Sequence, residues 1–147
     1  MSARSKARKR ALDVLFAADA RSVDPESILQ ERLTAEDAGG TAGVGAVPMG
    51  EYAEELVRGV REHILRIDDL IAEHAEGWTL DRMPAVDRAI LRIATYELAY
   101  STDVPPAVAV DEAVELAKSL STDNSPRFVN GVLGQIVTIA PRLRASR

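Results

Sequence analysis

Between Asp87 and Leu98 the chain reads Asp-Arg-Ala-Ile-Leu-Arg-Ile-Ala-Thr-Tyr-Glu-Leu. On a helix, at about 100° per residue, Arg88, Arg92 and Thr95 share one narrow side. Val86, Ala89, Ile90, Leu91, Ile93, Ala94, Tyr96 and Leu98 cover nearly all the rest. A surface helix carries one apolar stripe, so a helix that is apolar almost all round has to be surrounded by others. The stretch therefore predicts a central helix. Glu97 falls inside the apolar arc. An unpaired buried charge is expensive, so Glu97 reads either as half of a structural ion pair or as an acid facing a partner.

Composition agrees with helical packing. Aromatic residues make up only 4% of the 147 residues, while Ala, Leu, Val and Glu recur, which favours helix on helix over a sheet sandwich. With 46% hydrophobic and 28% charged residues the chain is globular, long enough for one domain or two small lobes sharing a core. There is no cysteine, which excludes disulfides, a thiol nucleophile and a Cys-based zinc site. No apolar run approaches the roughly 18 residues of a membrane span. The charged N-terminus has no apolar stretch behind it and does not read as a secretory signal. A soluble cytoplasmic protein without membrane association is expected.

Charge is unevenly spread. Arg4, Lys6, Arg8, Lys9 and Arg10 stand in the first ten residues without a single acid. Net charge is −5, so the rest of the chain carries −10. This reads as a basic arm for an anionic partner on an acidic body, or as a solvated, frayed terminus. Arg142, Arg144 and Arg147 in the tail could serve the same partner.

Ser2 and Ser5 can cap a first helix running to about Arg21, with Ala7, Ala11, Val14, Leu15 and Ala18 on its buried face. Leu12 and Phe16 lie beside that face and either widen the core or meet a partner. Asp24-Pro25-Glu26 starts a second helix, ending near Ala38, with Ile28, Leu29 and Leu33 as its stripe. Gly39 to Gly50 holds five glycines and Pro48 and reads as a flexible linker. Its Gly43-Val44-Gly45 lacks the third glycine of a dinucleotide fingerprint, and no lysine follows for a P-loop.

From Glu51 one long helical pattern runs on a seam of Ala53, Val57, Val60, Ile64, Ile67 and Ile71. His74 continues the seam as an end-of-helix histidine. His63, the only other histidine, lies off it, so no metal spacing exists. Gly77-Trp78-Thr79 closes the helix, with Trp78 read as a plug at the junction of the lobes. Pro84 opens the central helix, and Ser101-Thr102-Asp103 followed by Pro105-Pro106 ends it. In the next helix Val110, Ala113, Val114, Ala117 and Leu120 face inward. Asp111 and Glu112 suit its positive end and Lys118 its negative end. Ser121 to Pro126 is a turn into the last helix, whose stripe is Val129, Val132, Leu133, Ile136, Val137 and Ala140. Phe128 stands at the stripe's margin beside Arg127. An aromatic ring and an arginine at a helix N-terminus can stack a base and hold a phosphate, while the same Phe128 also reads as core.

No catalytic set assembles. There is no Gly-x-Ser-x-Gly elbow, no His-Glu-x-x-His and no phosphate-cradling loop, and the carboxylates fall at helix-surface spacings. The expectation is a binding protein, not an enzyme, with no cofactor and no metal.

Several blocks carry a resemblance. Arg88-Ala89-Ile90-Leu91-Arg92-Ile93-Ala94 with Tyr96-Glu97-Leu98, Val104-Pro105, Glu112-Ala113-Val114-Glu115-Leu116-Ala117-Lys118, Ser125 and Phe128-Val129-Asn130-Gly131-Val132-Leu133 resemble the signature of the NusB family. So does the basic first helix ending Ala11-Leu12-x-x-Leu15-Phe16. The similarity spans essentially the whole chain, least at the glycine-rich stretch.

The resemblance implies an all-α fold of two small helical bundles packed together, about seven helices, with an N-terminal lobe over about 1–78 and a C-terminal lobe over about 79–147. It implies a transcription antitermination factor that pairs with the ribosomal protein NusE and binds the boxA element of single-stranded RNA. The pair joins an antitermination complex on RNA polymerase, chiefly at ribosomal RNA operons. The implied RNA face is Arg4, Lys6, Arg8, Lys9 and Arg10 with Lys118, Asn124, Arg127 and Phe128. The implied NusE face is Phe16, Asp87, Arg88 and Glu97. Asn130-Gly131 is expected to serve helix packing. Asn124 stands where many relatives have Asp, which removes a negative charge from the RNA face and favours binding there. Asp111 stands where many have Asn, with a local effect. A helical protein-binding adaptor, or a homodimer with incidental RNA affinity, is the competing reading, and the basic arm discriminates between the two. Similar domains also occur joined to RNA cytosine methyltransferases, of which a chain of this length could supply only the RNA-binding part.

Overall fold

The structure, a computed structural model, describes residues 2–37 and 48–146. Ala38 and most of the expected glycine-rich linker, up to residue 47, lie outside the described residues, as does Arg147 of the tail. Among the described residues the chain forms seven α-helices and one 3₁₀ turn, and no strand: an all-α fold. The helices are α1 (Ala3–Arg21), α2 (Pro25–Asp37), α3 (Glu51–Glu62), α4 (Ile64–His74), α5 (Ala85–Tyr100), α6 (Pro106–Leu120) and α7 (Ser125–Ser146). The 3₁₀ turn, Leu80–Arg82, precedes α5. Two compact units emerge, Met1–Arg61 and Glu62–Arg147.

In the first unit α1 packs on α2. Ser2 caps α1 by accepting a hydrogen bond from the Ser5 N–H at 3.0 Å. Ala7, Ala11, Leu12, Val14, Leu15 and Ala18 are buried, which sends Leu12 to the core. The basic residues are thus part of a capped helix, not a frayed end. Asp24 caps α2 through the Glu26 N–H and receives both prongs of Arg61, at 2.7 and 2.9 Å. Arg58 reaches Glu26 alongside, so α3 is tied to the start of α2.

The continuous helix expected from Glu51 is interrupted. His63 leaves helical geometry (φ −109°, ψ 23°) and separates α3 from α4. Its ring stacks on Tyr100, with centroids 3.9 Å apart. On either side of the break the seam residues Ala53, Val57, Val60, Ile67 and Ile71 are buried, and Ile64, beside it, is half-buried. The two units divide beside this break, not near residue 78.

In the second unit α5 is central, packed against α4, α6 and α7. Ala89, Ile90, Leu91, Ile93, Ala94 and Leu98 are buried around it. Arg92, on its polar side, forms a two-pronged ion pair with Asp68 of α4 at 2.9 and 3.0 Å. Thr95 is fully buried, and its hydroxyl is the one buried side-chain N or O atom among the described residues that lacks a hydrogen-bond partner. Arg144 of α7 is not spent on the surface as expected of the tail. It donates to the carbonyls of Glu97, Leu98 and Val104 at 3.1, 2.9 and 2.7 Å. Of these, the Leu98 carbonyl is one that the end of α5 leaves without a helical partner, while the Glu97 carbonyl also accepts from the Ser101 N–H at 3.3 Å.

Three packing expectations are corrected. Leu120 is exposed at the last position of α6, where the helix end leaves nothing over it. Gly131 admits no close approach, since a Cβ there would meet nothing within 4 Å. Trp78 is no plug. Gly77 adopts φ +78°, a conformation natural to glycine, and turns the chain so that Trp78 stands 50% exposed.

Candidate functional site

In the second unit, a recess of about 230 Å³ opens where α7 begins. Phe128 and Trp78 form its aromatic walls, with ring centroids 6.1 Å apart and planes at 62°. Phe128 is half-buried, one helical turn into α7, and its N–H bonds to the Asn124 carbonyl at 3.1 Å. The side chains of Thr122 and Asn124 supply polar groups at the rim, and Pro84 completes the apolar lining.

Beneath the recess lies Asp87, 2% exposed, in the first turn of α5. One carboxylate oxygen accepts from the Ser121 hydroxyl at 2.5 Å, the other from the Ser125 hydroxyl at 2.9 Å. Ser125 in turn accepts from the Thr122 N–H and pairs with the Thr122 hydroxyl at 2.7 Å. Each hydroxyl has one proton, so the consistent assignment runs from Thr122 to Ser125 to Asp87 and from Ser121 to Asp87. The carboxylate also sits in the first turn of α5, where the helix dipole favours negative charge.

Arg127, Asn124 and Lys118 are exposed, and of the three Asn124 lines the recess. Lys118 holds Glu115 at 3.2 Å in a solvent-facing pair that costs little to open.

In the first unit the five basic residues differ. Lys6 and Lys9 are exposed. Arg4 lies over the Tyr52 ring, 4.5 Å from its centroid, with Arg8 at 5.8 Å from the same ring. Arg8 is 2% exposed, which removes it from direct contact with any ligand. Arg10 donates to the Met49 carbonyl at 2.9 Å. Phe16 is 42% exposed on the same helix, although its neighbour Leu12 is core.

Two more residues expected at a partner face lie inside. Glu97 is 1% exposed, on the same arc of α5 as the buried Ile90, Ile93, Ala94 and Leu98, and Asp87 is engaged by the two serines. Arg88 is half-buried and donates to the Leu80 carbonyl at 2.7 Å and the Met83 carbonyl at 3.4 Å. The structure therefore brings Phe128 and Asn124 to one recess with Asp87 below, and adds Trp78, Thr122 and Pro84. The signal that could have found Trp78 is its place directly after a glycine, where a large ring has no helix to pack along. Among the described residues no group of three or more His, Asp or Glu gathers for a metal, and no helix is long and apolar enough to cross a membrane.

Fold and recess define a class: an all-helical protein whose site offers ring faces, hydroxyls and an amide, suited to holding a planar ligand. The chain belongs to the NusB family, whose model matches residues 5–138. It is 58% identical to the transcription antitermination protein NusB of Saccharopolyspora erythraea, over 99% of this chain and 94% of that one. Among solved structures it is similar to T. maritima NusB, with 35% identity, TM-score 0.77 and 99% of both chains covered. It is also similar to a chain in the crystal structure of antitermination factors NusB and NusE in complex with dsRNA, with 30% identity, TM-score 0.74 and coverage of 92% and 96%.

Proposed function

We propose that this protein is a transcription antitermination factor that binds boxA-type single-stranded RNA and pairs with the ribosomal protein NusE. With NusE it joins the antitermination complex on RNA polymerase at ribosomal RNA operons, in the cytoplasm. It acts by binding and catalyses no reaction. The observation that carries the reading is the Phe128–Trp78 recess, because two accessible rings beside an amide and a hydroxyl suit an unstacked base. Family membership and the likeness to a chain crystallised with NusE and RNA support it. Lys6 and Lys9 supply direct phosphate contacts, with Arg4, Arg8 and Arg10 adding positive field behind them. Lys118, Asn124 and Arg127 flank the stacked base. The exposed Phe16 ring is the anchor for NusE.

The test is a titration with a boxA-type RNA, with and without NusE, at two salt concentrations. Trp78 is the sole tryptophan, so its fluorescence reports occupancy of the recess directly. Selective binding that quenches Trp78, strengthens with NusE and weakens with salt is expected. Equal, weak binding to any RNA, indifferent to NusE, would leave a helical adaptor or homodimer with incidental RNA affinity.

A further inference from the structure

We propose that Asp87 and Arg88 are positioning residues for the recess: from adjacent places in the first turn of α5 they fix its two aromatic walls. The inference rests on the reading of the recess as a base-binding site. It gives both residues a role different from the partner contacts that the resemblance implies.

Consecutive residues leave a helix about 100° apart, so Asp87 and Arg88 reach different neighbours. Asp87 reaches the turn between α6 and α7. Ser121 follows the last residue of α6 and Ser125 is the first of α7, and each hydroxyl donates to one oxygen of the same carboxylate. Both ends of the turn that carries Asn124 are therefore clamped to α5. Phe128 stands three residues after Ser125, on the helical turn that this clamp starts. The buried carboxylate thus sets the Phe128 wall.

Arg88 reaches the other side. Its Nη1 donates to the carbonyls of Leu80 and Met83, which bracket the 3₁₀ turn. That turn begins two residues after Trp78, and only two i→i+3 hydrogen bonds close it, Arg82 to Thr79 at 3.1 Å and Met83 to Leu80 at 3.3 Å. A 3₁₀ turn this short is poorly held by its own bonds. The guanidinium is what fastens it to α5, and so it sets the Trp78 wall. A stacking site loosened by about 1 Å loses its fit, so the two contacts govern base affinity without touching the base.

The experiment uses the full chain with Asp87→Asn, Ser125→Ala, Arg88→Met and Arg88→Lys. Four quantities are read: affinity for a boxA-type RNA, the slope of log affinity against log salt, Trp78 emission of the free protein, and the urea midpoint. Asp87→Asn and Arg88→Met are expected to weaken RNA binding about tenfold, the scale of one lost base stack. The salt slope stays at the wild-type value, because no phosphate contact is removed. Trp78 emission shifts in the folded protein, and Arg88→Lys, which keeps a donor in reach of both carbonyls, restores most of the affinity. Ser125→Ala removes a single hydroxyl and gives the same signature on a smaller scale should Asp87→Asn fail to fold. Wild-type affinity and emission in Asp87→Asn and Arg88→Met would overturn the proposal. So would an affinity loss matched by a shallower salt slope, which would make Arg88 a phosphate contact. If the wild-type chain bound no RNA, the functional reading would fall and the Trp78 emission alone would decide whether the two residues set the walls.

Discussion

Replacing Thr95 with Val should stabilise the protein. Thr95 is fully buried in α5 and its hydroxyl has no hydrogen-bond partner. A buried hydroxyl left unsatisfied costs about 1–3 kcal/mol, while a net hydrogen bond contributes only about 1 kcal/mol. Val has nearly the same shape and puts a methyl group where the hydroxyl was. Thr and Val differ little in helix propensity, so the backbone contributes almost nothing to the change. The gain should be about 1.5 kcal/mol. With a urea slope of about 2 kcal/mol per molar, the unfolding midpoint rises by about 0.7 M. The assay is urea denaturation followed by far-UV circular dichroism, comparing midpoints at unchanged slope. An unchanged or lowered midpoint would refute the reasoning, because it would mean that the hydroxyl is hydrogen-bonded in solution and that Val breaks the bond.

The Asp24 carboxyl is held down at about 2, against an ordinary 3.8, first by the Arg61 guanidinium and then by the Glu26 N–H. A carboxyl lowered in the folded state adds stability that is present above its unfolded value and lost as pH falls through its folded one, here between about 4 and 2. Carbon-detected NMR titration should show the low midpoint, and Arg61→Ala should return it toward 3.8. Arg144→Met strips three carbonyls of a charged donor and should cost about 3 kcal/mol, read as a lowered urea midpoint. Lys6→Glu with Lys9→Glu should lower the salt slope of RNA binding by about 1.4, at about 0.7 per phosphate contact on a single strand, with the midpoint of unfolding nearly unchanged.

Much of the fold was legible because it depends on local chemistry. Ser2 and Asp24-Pro25-Glu26 mark helix starts through hydrogen bonds made within a few residues, and both helices begin there. The all-round apolar character of Asp87 to Leu98 demanded neighbours on several sides, and α5 has three. What periodicity cannot report is which neighbour covers a given position. Leu120 has the right phase for burial but stands where the helix ends, and Phe16 stands one turn from buried Leu12 yet is uncovered. The apolar spacing in the sequence runs past His63 without a change, so the pattern carried no mark of the break there. At the site, the residue types were readable and their depth was not. Arg8, Asp87 and Glu97 are charged, which by itself argues for the surface, and each is buried by contacts distant in sequence or by the packed arc around it.

The basic residues of α1 are already ordered. Ser2 closes the helix ahead of them, and Tyr52 and the Met49 carbonyl hold three of the five side chains in place. A disordered arm that folds on its ligand loses chain entropy at that moment and shows a large negative heat-capacity change. A helix formed in advance does neither. Association with RNA through this helix should therefore be fast and governed by ionic strength, with a calorimetric heat-capacity change that reflects only the surface covered at the recess.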